Sequence, residues 1–518
     1  MNSTYEYLVI GAGPAGLQLG YFFKQNQRDY LILDRGKCAG NFFNTFPRHR
    51  MLISINKIYT GKTNPEVNYR WDWNSLLCDD PELRLKNYTQ KYFPDPDLYV
   101  QYLGDFAAHY DLNIRYETQV TKVHKADGLF TLTDAEGNTY QAPRLIIATG
   151  LWKLMEPDFP GAELCDTYNE HSMNTDDYIG KRVLIVGKGN SAFETADHLT
   201  EVANAIHVLS PHSVKMAWET HFVGNLRAIN NNFLDTYQLK SQNTVIDANI
   251  QSVEKKDGKF LVDIAYSHAK GQTRLVEYDK VILCTGWRFD TSIFDETCMP
   301  EMVFNDKLPN QTSEWESANV KDMYIAGTLM QACDFKKTMS GFIHGFRHNV
   351  ESLSNILELK YHQREWPSEE VELTPQAITS YLIERANNSA PIFLQPGFMA
   401  EVLVVDEANR TARCYKSVRK DYIADSFLAE NEQYYTLSLE YGHFSGNPFS
   451  VERDPDPEKA GEAAYLHPII RRYNHKMLVT EHHIQDDLES EWNREEYIKP
   501  ALAFFEEQLA GQEMVEPA

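Results

Sequence analysis

Positive charge is scarce in this chain: 50 Lys and Arg stand against 74 Asp and Glu, a formal net charge of −24. Polyanions are held by clustered Lys and Arg, so nucleic acid and an anionic membrane surface are excluded as expected partners. Long apolar runs are missing too. No segment reaches membrane-span length, and MNSTYEYLVIG passes straight into an apolar strand without a charged leader, so a cytoplasmic protein is expected. Cysteine is sparse and scattered: the seven, Cys38, Cys78, Cys165, Cys284, Cys298, Cys333 and Cys414, include no C-x-x-C pair. That disfavours dithiol exchange and leaves separate thiols in a reducing compartment. The polar run EHHIQDD at 481–487 has no second ligand group at a set spacing. No metal is expected there, and a solvated helix face accounts for it.

Glycine, in contrast, is concentrated in two signatures, YLVIGAGPAG at 7–16 and VLIVGKGNSA at 183–192, each directly after an apolar β-type run. In such a turn the first glycine allows the sharp reversal, the second lets backbone approach a pyrophosphate, and the third lets helix pack on strand. The first motif supplies Gly11, Gly13, Pro14, Ala15 and Gly16, and DYLILDRG brings Asp34 and Arg35 to the place about 20 residues on where an acid holds a ribose hydroxyl. The second supplies Gly187, Gly189, Asn190, Ser191 and Ala192. Two dinucleotides on one chain suggest a relay in which a nicotinamide passes hydride to a flavin. The order assigns FAD to the first motif and the nicotinamide to the second. After AIHVLS the chain carries Ser210, His212 and Lys215 where an NAD-selective site would place an acid, so NADPH is expected. LIIATG, ending at Gly150, and VILCTGW, containing Gly286, are strands that close on Thr-Gly where chain crosses between domains. MYIAGT contributes Gly327 and Thr328 at a third strand-to-helix turn facing the flavin.

The expected fold class is α/β: two Rossmann-like dinucleotide-binding domains, the second inserted in the first, followed by a C-terminal mixed α+β extension. Residues 1–157 and 318–365 form the FAD domain, 158–317 the NADPH domain and 366–518 the extension, with the prolines of EPDFPGAE marking one boundary. Strands through AEVLVVDE and YYTLSLEY and a closing helix through PALAFFEEQLAG are expected in the extension.

VLIVGKGNSAFETA resembles the NADPH-binding motif of the class B flavin monooxygenases. The longer strings RHRMLISINK (48–57), LRAINNNFLDTYQLKS (226–241) and GFIHGFR resemble one branch of them, FAD-dependent oxidoreductases associated with degradation in the ER. With no leader and no retention signal of the KDEL kind, the resemblance implies a soluble bacterial relative. It implies an FAD- and NADPH-dependent monooxygenase that forms a flavin C4a-hydroperoxide from dioxygen, shields it from water and oxygenates a nitrogen or sulfur of a small molecule such as an amine or amino acid. It puts Asn56 and Lys57 in the catalytic stretch, Asn56 donating a hydrogen bond to peroxide or substrate. Asn41, Phe42 and Val120 complete the cofactor-binding set. Arg48 and His49, with Arg50, bind the flavin phosphates or an anionic substrate, or form salt bridges within an acidic protein. The family fingerprint F-x-G-x-x-x-H-x-x-x-[YF] is loosened to Phe159, Gly161, His171 and Tyr178. Cofactor binding tolerates that departure better than oxygenation does, so an NADPH-dependent reductase or oxidase, or a flavin-binding redox scaffold, stands beside the first reading. A homo-oligomer is compatible with all three.

Overall fold

The computed structural model describes residues 3–240, 242–406 and 409–510. The strand Tyr7–Ile10 is apolar on both faces and buried throughout, as a central parallel strand covered on both sides must be. It sits in a five-stranded parallel sheet whose order, in residue ranges, is 323–325, 144–147, 7–10, 30–33, 114–115. The order reverses between 7–10 and 144–147. At such a switch point the loops leaving the two strands part and leave a crevice. Alternate residues divide the packing: Tyr7 and Val9 enter one core, Leu8 and Ile10 another.

The second sheet repeats the pattern, with Arg182–Val186 between Ala205–Ser210 and Lys280–Leu283, all parallel. Its far edge turns antiparallel through Thr244–Lys256, Lys259–Tyr266 and Thr273–Tyr278. Where chain crosses between the two units, Lys153–Leu154 and Trp287–Arg288 pair as a short antiparallel ribbon beside Gly150 and Gly286. The return to the first unit comes earlier than residue 318. Phe289, Phe294, Cys298 and Leu308 already pack in the core of the first sheet, and Asp295 meets His124 there.

The extension is a six-stranded antiparallel sheet, order 368–372, 411–419, 399–406, 434–441, 466–474, 477–483, with the closing helix Glu495–Ala510 packed on Pro375–Asn388. EHHIQDD is not a helix face. Its first three residues end the edge strand Met477–His483, because its alternating side chains pair with Leu466–Asn474. Among the described residues the extension shares its core with the first domain: one continuous cluster runs from Tyr7 and Phe23 through the helix Ile343–His362 to Tyr435 and Phe505. No helix among the described residues is long and apolar enough to cross a membrane.

Candidate active site

The first glycine motif builds a cradle. Gly11 has φ +111° and a Cβ there would lie 2.6 Å from the Ala148 carbonyl oxygen, so only glycine passes at the switch point. The helix Pro14–Gln25 starts with no side chain capping its first amides. In front of them Gly13 faces open space, a gap that any Cβ would enter. Asp34 accepts from the Ala12 and Gly36 amides, both at 2.6 Å, which pins its carboxylate at the end of its strand and leaves a lone pair on each oxygen for ribose hydroxyls. These groups border a cavity of about 430 Å³ whose walls also include Arg35, Asn41, Phe42 and Val120. Thr118, Gln119, Asp290 and Ser292 join them, and Trp152 lies under Arg35 at 3.1 Å. Gly16 is internal: its Cβ would fall 1.9 Å from the Gly11 carbonyl oxygen.

The second cradle has the same logic. Gly187, at φ +128°, crosses the Cys284 carbonyl, Gly189 faces open space, and the helix Asn190–Leu199 is likewise uncapped by a side chain. Lys188, between the glycines, reaches back to the Ser210 and His212 carbonyls and pairs with Asp247. His212 and Lys215 are exposed beside it.

Both units face a second cavity of about 420 Å³, mostly apolar and aromatic. Phe42, Phe46, Trp73, Thr328 and His344 come from the first unit, and Tyr168, Asn190, Ser191, Glu194 and Arg227 from the second. Gly327, at φ +80°, lets the turn before Thr328 approach Ala15. Phe42 and Phe46 border both cavities, so the two spaces adjoin.

Five expected residues are elsewhere. The Asn56 amide donates to the Thr89 and Lys91 carbonyls at 3.1 and 3.2 Å, and neither it nor the exposed Lys57 borders either cavity. Asn56→Ala should therefore cost about 1–2 kcal/mol in urea unfolding and leave peroxide leakage unchanged; a stable variant that leaks more peroxide would restore the catalytic role. The Arg48 guanidinium is committed across the domain joint, donating to the Tyr168 and His171 carbonyls at 2.5 and 2.9 Å. His49 is half-buried beside His198, and desolvation drops its pKa to about 3, so it carries no charge for a phosphate. Arg50 pairs with Asp97. No anionic substrate follows from this triplet. The loosened fingerprint is structural as well: His171 receives Arg48, and at Gly161 a Cβ would strike the Val253 carbonyl oxygen.

Glu194, Trp73, Arg227 and His344 escaped the sequence reading, although the strings GNSAFETA and LRAINNN contain two of them. Burial, opposed by a long bond from Asn230 (3.5 Å), pushes the Glu194 carboxyl up to about 7. The folded state thus holds this proton more tightly than the unfolded chain, whose value is 4.5. The stabilisation is complete below that value and is lost as pH rises through about 7. Glu194→Gln should melt like the wild type at about pH 4 and be more stable at pH 8, by about 2 kcal/mol after allowing for partial exposure. An equal difference at both pH values would show that the carboxyl is not held neutral by burial.

A family model described as pyridine nucleotide-disulphide oxidoreductase matches residues 8–327. FAD-dependent oxidoreductase domain-containing protein 2 of Mus musculus is 37% identical, covering 94% of this chain and 81% of the mouse protein. Two solved structures share the fold of the first two units at 18% identity: a flavin-containing monooxygenase from Stenotrophomonas maltophilia (TM-score 0.54) and the bacillithiol disulfide reductase Bdr from Staphylococcus aureus (TM-score 0.53). Each covers 69% of this chain and 99% of the other.

Proposed function

We propose, from the premise that this chain belongs to the pyridine nucleotide-disulphide oxidoreductase family and is a homologue of FAD-dependent oxidoreductase domain-containing protein 2, that it is an NADPH-dependent flavin monooxygenase acting on a nitrogen or sulfur of a small molecule. The observation that carries the reading is an apolar cavity bordered by both halves of the relay: Thr328 and Phe42 from the FAD side, Asn190 and Ser191 from the start of the second cradle's helix. Bound FAD would supply hydride acceptance from NADPH and delivery of the electrons to dioxygen, one oxygen atom entering substrate and the other leaving as water. Gly13 and Asp34 hold the flavin nucleotide, and Gly189 leaves room for the NADPH pyrophosphate. Aromatic walls keep water out, and Glu194 carries an exchangeable proton at neutral pH.

Disulfide reduction, the activity named for the bacillithiol enzyme, finds no support in the thiols: all seven cysteines are free and none borders this cavity. Exposed His212 and Lys215 support NADPH over NADH.

The test follows NADPH loss, hydrogen peroxide and product mass together, with amines and sulfides as trial substrates. A monooxygenase releases less peroxide per NADPH when substrate is present, and its product is heavier by one oxygen atom. Peroxide equal to NADPH with every trial compound would make the protein an oxidase, and NADPH that never bleaches the flavin would remove the relay.

A further inference from the structure

Several arginines of this protein, buried or half-buried, have company. Arg385 lies between Glu66 and Glu401, Arg28 holds Glu358, and Arg471 holds Glu440. Arg70 and Arg347 are instead bonded to two or more backbone carbonyls. Arg227 differs. One guanidinium nitrogen donates to the Ile53 carbonyl at 2.8 Å, and among the described residues no carboxylate pairs with it. It is nonetheless desolvated enough for burial to lower its pKa, and the wall it belongs to is the aromatic side of the interdomain cavity. Its guanidinium stands 5.3 Å from the centre of the Trp73 ring.

On that same indole lies His344. Its ring stacks on Trp73 at 4.2 Å between centroids, with Phe342 at 5.9 Å, and the residue is 2% exposed. Both ring nitrogens are buried without a hydrogen-bond partner. A neutral imidazole always presents one N–H and one bare nitrogen, and leaving both unmet in the interior costs about 1–3 kcal/mol for each group. Burial keeps the ring neutral, and the positive charge of Arg347 and Arg227, with that of His348, adds to the effect. Glu194, the one carboxyl bordering the cavity, is itself pushed toward its neutral form. The cavity therefore combines an uncompensated cation, an unmet N–H and aromatic walls.

We propose that this end of the cavity is a carboxylate subsite, and that the substrate of the monooxygenase proposed above is an organic acid with an apolar, aromatic body. Arg227 takes the carboxylate, His344 gives a second hydrogen bond, and Trp73 and Phe342 flank the carbon frame. Charge-assisted bonds of this kind are about twice as strong as neutral ones, and an acid satisfies the guanidinium in a way that the matching amide does not.

The experiment uses the FAD-loaded protein without turnover. Phenylacetate and naphthylacetate are titrated against phenylacetamide and naphthylacetamide, following tryptophan fluorescence and the flavin absorbance. The acids should bind at least about tenfold tighter than their amides. Arg227→Gln should bring that ratio close to one, Arg227→Lys should keep part of it, and His344→Phe, which retains the stack, should lower it a few-fold. Because the ratio compares two ligands on one protein, it is unaffected by a change in the folded fraction. A ratio near one in the wild type, or one unchanged in Arg227→Gln, overturns the proposal. Either result is independent of oxygen transfer: the subsite can fail while an uncharged amine is still oxygenated, and it can hold in a protein that only makes peroxide.

Discussion

Gly13→Ala gives a protein that folds as the wild type does and binds FAD on the order of 10- to 100-fold more weakly, whereas Gly16→Ala damages the fold itself. The two positions lie three residues apart in one motif, and their surroundings decide the difference. Gly13 has φ −79° and ψ −177°, a conformation that alanine adopts freely, and its added methyl meets no protein atom within 4 Å. The methyl enters the space in front of the helix start, where overpacking a ligand costs about 1–3 kcal/mol. At Gly16 the same methyl falls 1.9 Å from the Gly11 carbonyl oxygen, and strand and helix must separate to admit it. FAD affinity from flavin fluorescence, with thermal unfolding of the flavin-free proteins, separates the two effects. A Gly13→Ala protein that holds FAD normally would mean the first cradle has been assigned to the wrong ligand. Gly189 and Gly187 should repeat the contrast for NADPH, since Gly187 lies against the Cys284 carbonyl and Gly189 against nothing.

Glu401→Ala should destabilise the protein by about 3–5 kcal/mol, the usual cost of leaving a buried ion without its partner. Glu401 is fully buried in the C-terminal sheet, where it accepts from Arg385 at 2.8 Å and from the Ser389 hydroxyl at 2.7 Å. Arg385 continues to Glu66 through two further bonds, 2.8 and 2.7 Å, and Arg70 donates to the Ala386 and Ser389 carbonyls. The network thus joins the extension to the short helix Pro65–Asn68 of the first domain and the turn after it. Urea unfolding should show one transition that moves as a whole, because both parts share a core. A second, unshifted transition would show that the extension unfolds on its own. Glu401→Leu with Arg385→Met should recover much of the loss, since replacing both ions by apolar groups removes the uncompensated charge.

The parts of this protein that sequence makes legible are those where backbone geometry restricts residue choice. Gly11, Gly16 and Gly187 are glycine because a carbonyl passes within 2.6 Å of where a Cβ would be, and that requirement is written into the motif. Asp34 is legible through its spacing from the glycines. Arg48, His49, Asn56 and Lys57 were not, because composition says nothing of which carbonyl a polar side chain meets after folding. Trp73, Arg227 and His344 come from three segments separated by more than a hundred residues, and only the closed fold brings them to one wall. The polar run at 481–487 reads as a helix face because so short a polar segment has no clear period; the pairing of 477–483 with 466–474, a tertiary contact, makes its first residues the end of a strand.

The hydrogen bonds from Arg48 to the 168–171 segment, and from Arg227 to Ile53, cross the cleft between the nucleotide units at two separate points. A rotation of one unit against the other has to break them, at a cost of about 1 kcal/mol for each. Opening of the cleft therefore answers to two side chains as well as to the crossing strands, and removing either guanidinium should loosen it. Where the swing of the two units limits a turnover, those two side chains set its pace.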